Sequence, residues 1–430
     1  MMCRGIGQSP VPFHYASIEV AHNTPGRSRE MGRNAYSSEP HRRLTIGNPG
    51  ISSATGDVGY ERRLPRQGFW LRICTISLPD PCCFRLSLPS IKFMARLFYA
   101  TAPPALAVVT IRNGAVSSQL ALQGKNVRCV AVDPSRPELV YSGTFGEGVW
   151  RSCDGGQTWA MVGAGISHNQ IQSIRVSPFP GTDGFGIVYA GTEPSALFYS
   201  ADAGETWLEC PGLTALPSSN QWSFPPRPET HHVRWIEPDL TNPRQLYVAI
   251  EAGALIRSPD GGQTWIDRTP TGPIDTHQMA VHPSMPDRLC SAAGDGYFES
   301  HDRGDTWERH ESGLEHRYVW SVAIDAGDAN NILISSADSP RHSHGDTGET
   351  YVYRRVNGRQ WQRVEGGLPS GEGRRTAVLA ADPNHAGRIY AAWGDDVFAS
   401  EDGGKRWVGL KLFAEKSVRT NENCPLVIAP

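Results

Sequence analysis

The chain has 430 residues, 45 of them glycine and 33 proline, and no long apolar periodic run; this composition favours short strands joined by many turns and argues against a helical or membrane-spanning architecture. Net charge is −3, but residues 1–93 hold twelve basic against six acidic side chains, so residues 94–430 stand at −9. A body that acidic argues against nucleic acid as the main partner.

Residues 1–93 carry many Arg, Ser and Pro and little periodicity. They hold no apolar segment behind a basic start, so no secretion signal is read there. The expectation is a disordered extension, or a leader upstream of a true start at Met94, where strand-like sequence begins. From Met94 the chain is read as a single β-structured region, 94–430. Residues 127–132, 139–144 and 148–152 form three apolar runs separated by turn signals, and 159–162 a fourth. The same order restarts at Ile171, His232, Gln278, Tyr318 and Thr376, which makes six four-stranded units. Residues 96–123 supply three strands without an inner one, and 425–430 an inner strand without the rest. The two ends are therefore expected to complete each other, giving an all-β, seven-bladed propeller closed by pairing N- and C-terminal strands in one blade.

An eight-residue word, S-x-D-x-G-x-T-W, punctuates the units. It stands at 152–159, 200–207, 258–265, 300–307 and 400–407, the last with Arg406 in place of Thr, and a worn copy ends at Trp361. Successive Trp positions are 48, 58, 42, 54 and 46 apart, a blade-sized period. Ser and Asp are suited to accept hydrogen bonds from turn amides, Gly to a positive φ, and Trp to burial between blades. None of these roles needs a ligand. The nine cysteines, Cys3, Cys74, Cys82, Cys83, Cys129, Cys153, Cys210, Cys290 and Cys424, show no C-x-x-C pair, and read as reduced thiols of a cytoplasmic, monomeric protein.

On these words residues 94–430 resemble the Asp-box, or bacterial neuraminidase repeat, propellers: sialidases, xyloglucan-active glycosidases, sortilin-type receptors and photosystem assembly factors. In that superfamily the boxes lie away from the catalytic face, which implies a structural role for all five. Function is sought at the axial mouth, built from the loops leading into each inner strand and those joining second to third strands. The lead-in loops carry Arg128, His168, His231, His232, Arg234, His277, His316, Arg317 and Tyr318; the others carry Glu193, Glu251, Asp295 and Asp338. A long loop at 220–229 holds Trp222, Phe224 and Arg227, and is read either as a lid stacking on a flat ligand or as packing anchored by Trp222.

Two functional classes follow. As a binding module, the mouth would hold a polar small molecule, a glycan, a peptide or a protein through His231, His232, Arg234, His277, His316, Arg317, Trp222, Arg227, Arg128 and His168. As a glycoside hydrolase, xyloglucanase-like or exo-sialidase-like, it would use acid and base carboxylates among Glu193, Glu251, Asp295 and Asp338, or Tyr318 as a sialidase-type nucleophile beside the arginines. The Arg-Ile-Pro word of sialidases is absent, and sialidases have six blades rather than seven. Binding is therefore the preferred reading, with no cofactor; a metal on His231, His232, His277 and His316 is the variant considered.

Overall fold

The computed structural model describes residues 94–181, 184–413 and 418–429; the extension expected over 1–93 lies outside them. Seven antiparallel sheets form in chain order. Blade 1 runs Val127–Asp133, Arg136–Thr144, Gly148–Ser152 and Ala160–Val162, and blade 2 Ile171–Pro180, Gly186–Thr192, Leu197–Ser200 and Leu208–Glu209. Blade 3 is Val233–Pro238, Leu246–Ile250 and Ala254–Ser258; blade 4 is Thr276–His282, Met285–Ala293, Gly296–Ser300 and Glu308–Arg309. Blade 5 is Tyr318–Asp325, Asp328–Ala337, Thr350–Val356 and Gln362–Arg363, and blade 6 Val378–Ala381, Ile389–Trp393, Asp396–Ser400 and Val408–Gly409. Second strands such as Leu246–Ile250 and Ile389–Trp393 are buried along their whole length. Their sequences read as continuous apolar runs because a neighbouring blade covers each face.

The seventh blade is made from both ends of the chain. Met94–Ala102, Ala105–Arg112 and Ala115–Ala121 are its three outer strands, and Val427–Ala429 pairs antiparallel with the first of them, Leu97 opposite Ile428. Arg419–Thr420 extends the same edge at Thr101 and Ala102. Every innermost strand packs against the next, and Val427–Ala429 packs against Val127–Asp133, so the ring is closed. Blade 3 departs from the four-strand expectation: its fourth strand is a single bridge between Arg257 and Ile266. The next residue, Asp267, turns away to accept hydrogen bonds from the Ser218 amide and hydroxyl, which ends the pairing.

The repeated word folds the same way each time. In the third copy Ser258 Oγ accepts from the Gly262 amide at 2.8 Å and donates to Asp260 Oδ1 at 2.9 Å. Asp260 Oδ1 accepts from the Thr264 amide at 2.8 Å, and Oδ2 from the Thr264 hydroxyl at 2.6 Å. Gly262 adopts φ 93°, a left-handed turn that glycine reaches without strain. The word also stitches blades together: the amides of Trp207, Trp361 and Trp407 donate to Ala164, Ser312 and Gly366 at the end of the preceding blade. Trp207, Trp307, Trp361 and Trp407 are buried.

Candidate functional site

In five blades the innermost strand begins with a register shift that leaves one residue out of the ladder. Val127 and Cys129 pair with Thr144 and Gly143 and skip Arg128; by the same count Gln172, Arg234, His277 and Trp320 are skipped. A bulge re-aims the side chain it frees. Gln172, Arg234, His277 and Trp320 all line one narrow axial cavity of about 20 Å³, with Glu422 from the lead-in to the closing strand. The bulge thus turns a strand residue into a site residue at the same place in successive blades.

Buried carboxylates meet these groups. Arg227 grips Glu193 with two bonds of 2.8 Å, and Gln172 donates to the same carboxylate at 2.6 Å. His232 Nε2 lies 2.8 Å from Glu251 Oε2, with Arg234 Nε 3.5 Å from the same oxygen. Burial alone would raise the Glu251 carboxyl, but the charge and hydrogen bond of His232, then Arg234 and His277, hold it well below the usual range. Glu193 is likewise lowered: burial opposes, and the bonds from Arg227 and Gln172 prevail. Burial lowers the Arg128 guanidinium, and Arg234 and Arg227 lower it further by repulsion. His277 Nδ1 lies 2.8 Å from the Val319 carbonyl, and its Nε2 lies 3.5 Å from Asp275 and 3.2 Å from the Tyr318 hydroxyl. Burial pulls His277 down, yet Asp275 raises it on balance. Burial, then Asp275 and Glu251, push the Tyr318 phenol far up, toward its protonated form.

On the other side of the mouth Arg234 stacks over Trp320 at 4.7 Å and donates to the Asn423 carbonyl at 2.9 Å. Trp320 Nε1 donates to the Glu422 carbonyl at 2.9 Å, and the Glu422 carboxylate lies 3.4 Å from His344 and 3.5 Å from Arg375. Three buried nitrogens here have no hydrogen-bond partner, Arg128 Nε, His232 Nδ1 and Arg234 Nε; His231 Nδ1, beside Trp222, has none either. For His232 and Arg234 the ion-pair distances to Glu193 and Glu251, 3.6 and 3.5 Å, are too long to count as hydrogen bonds.

The structure thus brings together Arg128, Glu193, Arg227, His232, Arg234, Glu251, His277 and Tyr318. It places other sequence candidates elsewhere. Trp222 is buried in the core between blades 2 and 3, its indole donating to Ser218, so it is an anchor and not a lid. The other half of that loop does reach the mouth: Phe224 meets His232 edge-on at 4.7 Å and Arg227 lies over Phe224 at 4.8 Å. His231 sits edge-on to Trp222. His316 packs on Tyr351 and bonds the Tyr353 hydroxyl; Arg317 is exposed and pairs with Glu311; His168 lines a separate hollow with Glu147 and Glu205. Asp338 pairs with His342, and Asp295 accepts the amides of Ile274 and Asp275. The four histidines considered for a metal do not converge. Sequence reasoning missed Gln172, Asp275, Trp320 and Glu422 as members of this cluster. Glu422 was accessible to it: the lead-in rule applied to the seventh blade selects residues 421–423.

No protein-family model matches the chain, and no curated protein matches it. Among solved structures it is similar to an ancestral GH74 enzyme, with 17% identity and a TM-score of 0.52 over 64% of this chain and 36% of that one. It is similar also to the GH74 enzyme of Niastella koreensis, with 19% identity and a TM-score of 0.51 over 68% and 47%. A structure of YCF48 bound to a D1 peptide aligns at 18% identity and a TM-score of 0.47, over 66% and 82%. The chain spans about a third and about half of the length of the two GH74 structures. At such identities the likeness is one of fold: the chain is a seven-bladed β-propeller.

Proposed function

We propose that this chain is an Asp-box propeller that binds an acceptor-rich polar ligand, a small molecule, glycan or peptide segment, at its axial mouth. The observation that carries the reading is the pair of buried guanidinium nitrogens without a hydrogen-bond partner, Arg128 Nε and Arg234 Nε. An unsatisfied buried donor is costly, and two cationic ones at one opening are what a ligand with carboxylate or carbonyl oxygens would satisfy. The carboxylates argue in the same direction. A glycosidase needs one carboxyl kept protonated as general acid by a raised pKa; Glu193 and Glu251 are both held ionised by their cationic neighbours.

The test is a calorimetric and thermal-shift screen of carboxylated sugars and acidic peptides, run beside assays of turnover on xyloglucan, aryl-glycosides and sialosides. Binding is expected, weakened about 10-fold or more by Arg128→Ala with little change in melting, since a charge-assisted hydrogen bond is worth about 1.5–3 kcal/mol. Turnover abolished by Glu251→Gln, with folding intact, would replace this reading by hydrolysis.

A further inference from the structure

We infer that Glu251, Asp275 and His277 form a binding site for one divalent transition-metal ion of the zinc class. Their ligating atoms all lie within 4.8 Å of one another. One imidazole and two carboxylates are a donor set that zinc accepts. Two donors each about 2.0–2.1 Å from a tetrahedral zinc lie about 3.4 Å apart, and His277 Nε2 stands 3.5 Å from Asp275 Oδ2. That spacing is too long for a good hydrogen bond and right for two ligands of one ion.

Each ligand is also held from behind, as metal ligands are. The Val319 carbonyl 2.8 Å from His277 Nδ1 places the proton on Nδ1, so the lone pair is on Nε2, which the Tyr318 hydroxyl meets at 3.2 Å. Trp320 and Tyr318 flank the ring, with centroids 4.3 and 5.0 Å away. Asp275 Oδ1 accepts the Ala252 amide at 2.8 Å, which leaves Oδ2 facing His277. His232 Nε2 orients Glu251. Beside Asp275 stands Gly294, where an added Cβ would come within 2.0 Å of Asp275 Oδ2, so the backbone has made room for this carboxylate. Asp275, Gly294 and Tyr318 also border a surface pocket of about 500 Å³, while Glu251 and His277 are buried. This site stands independently of whether the mouth binds an organic ligand.

The experiment uses the full chain, stripped with chelator and titrated with Zn²⁺, and with Co²⁺ as a coloured substitute, while bound metal is measured by mass spectrometry and absorption. One equivalent is expected, with Co²⁺ ligand-field bands of low coordination number and a rise in melting temperature. Asp275→Asn, close to isosteric, and Gly294→Ala, which displaces Asp275 without touching the other ligands, should each weaken binding at least about 10-fold. Asp305→Asn, which removes an exposed carboxylate paired with Arg257 and remote from the donor set, should leave it unchanged. Absence of stoichiometric metal in the wild-type chain would overturn the inference without any variant, as would Asp275→Asn that folds and binds like wild type.

Discussion

The five word aspartates accept hydrogen bonds from the amides of their own turns. Asp154, Asp260 and Asp302 are each lowered to about 2; for Asp260 and Asp302 the leading cause is the hydrogen bond from the following Thr hydroxyl, and for Asp154 slight burial opposes the same bond. An ordinary aspartate titrates near about 3.9 in the unfolded chain, so these groups bind protons more readily unfolded than folded between those values. Their contribution is complete above about pH 4 and is lost as pH falls toward 2. Melting temperature measured from pH 5 to pH 2 should fall through this window, and a chain with all three changed to Asn should show a shallower fall. Asp402 lacks one of these donors, since Arg406 supplies an amide but no hydroxyl. That is the physical content of the one irregular copy of the word.

Elements meet through close approaches that only small residues allow. Gly191, in the second strand of blade 2, sits where a Cβ would lie 2.4 Å from Val233 Cγ1 and 2.4 Å from Ser173 Oγ. Gly143 in blade 1 stands the same way against Ile171 and Cys129. Val233 and Ile171 immediately precede the bulged residues Arg234 and Gln172, so these glycines seat the strand starts that present the mouth. Gly191→Ala should therefore cost about 1–3 kcal/mol, as overpacking does, and a denaturation midpoint within error of wild type would contradict it. The strands themselves were legible in sequence because each alternates or runs apolar between turn residues. The bulges were not: Gln172 and Trp320 read as ordinary strand residues, and a one-residue slip that reverses a side chain leaves no compositional trace.

At the scale of the whole molecule the ring is held shut by one short strand. Leu426, Ile428 and Ala429 are buried, and Ile428 and Leu426 join the core shared with blade 6. Each large apolar side chain is worth about 1.5–3 kcal/mol on burial, and Arg419–Thr420, which pairs with Thr101 and Ala102, belongs to the same closing segment. Deleting residues 422–430 should lower the melting temperature sharply and broaden the transition, and an unchanged melt would refute closure by this strand. The deletion also removes Glu422 from the mouth, so closure and site share one segment.

Sequence by itself determined the repeat, the blade count, the order of strands and the completion of one blade by both termini, because these depend on periodicity and on turn chemistry read within a few dozen residues. It also marked His232, Arg234, Glu251 and His277 as candidates, since the lead-in and second-to-third loop positions follow from that order. Which candidates meet was decided only in three dimensions. Trp222 went into the core because a large apolar ring gains more there than over an open mouth, while Arg227 five residues later went to Glu193. Asp275 and Trp320 joined the cluster through a backbone that yields to one side chain and a strand that slips by one residue. The word at 258–265 fixed the frame; the bulges placed the chemistry inside it.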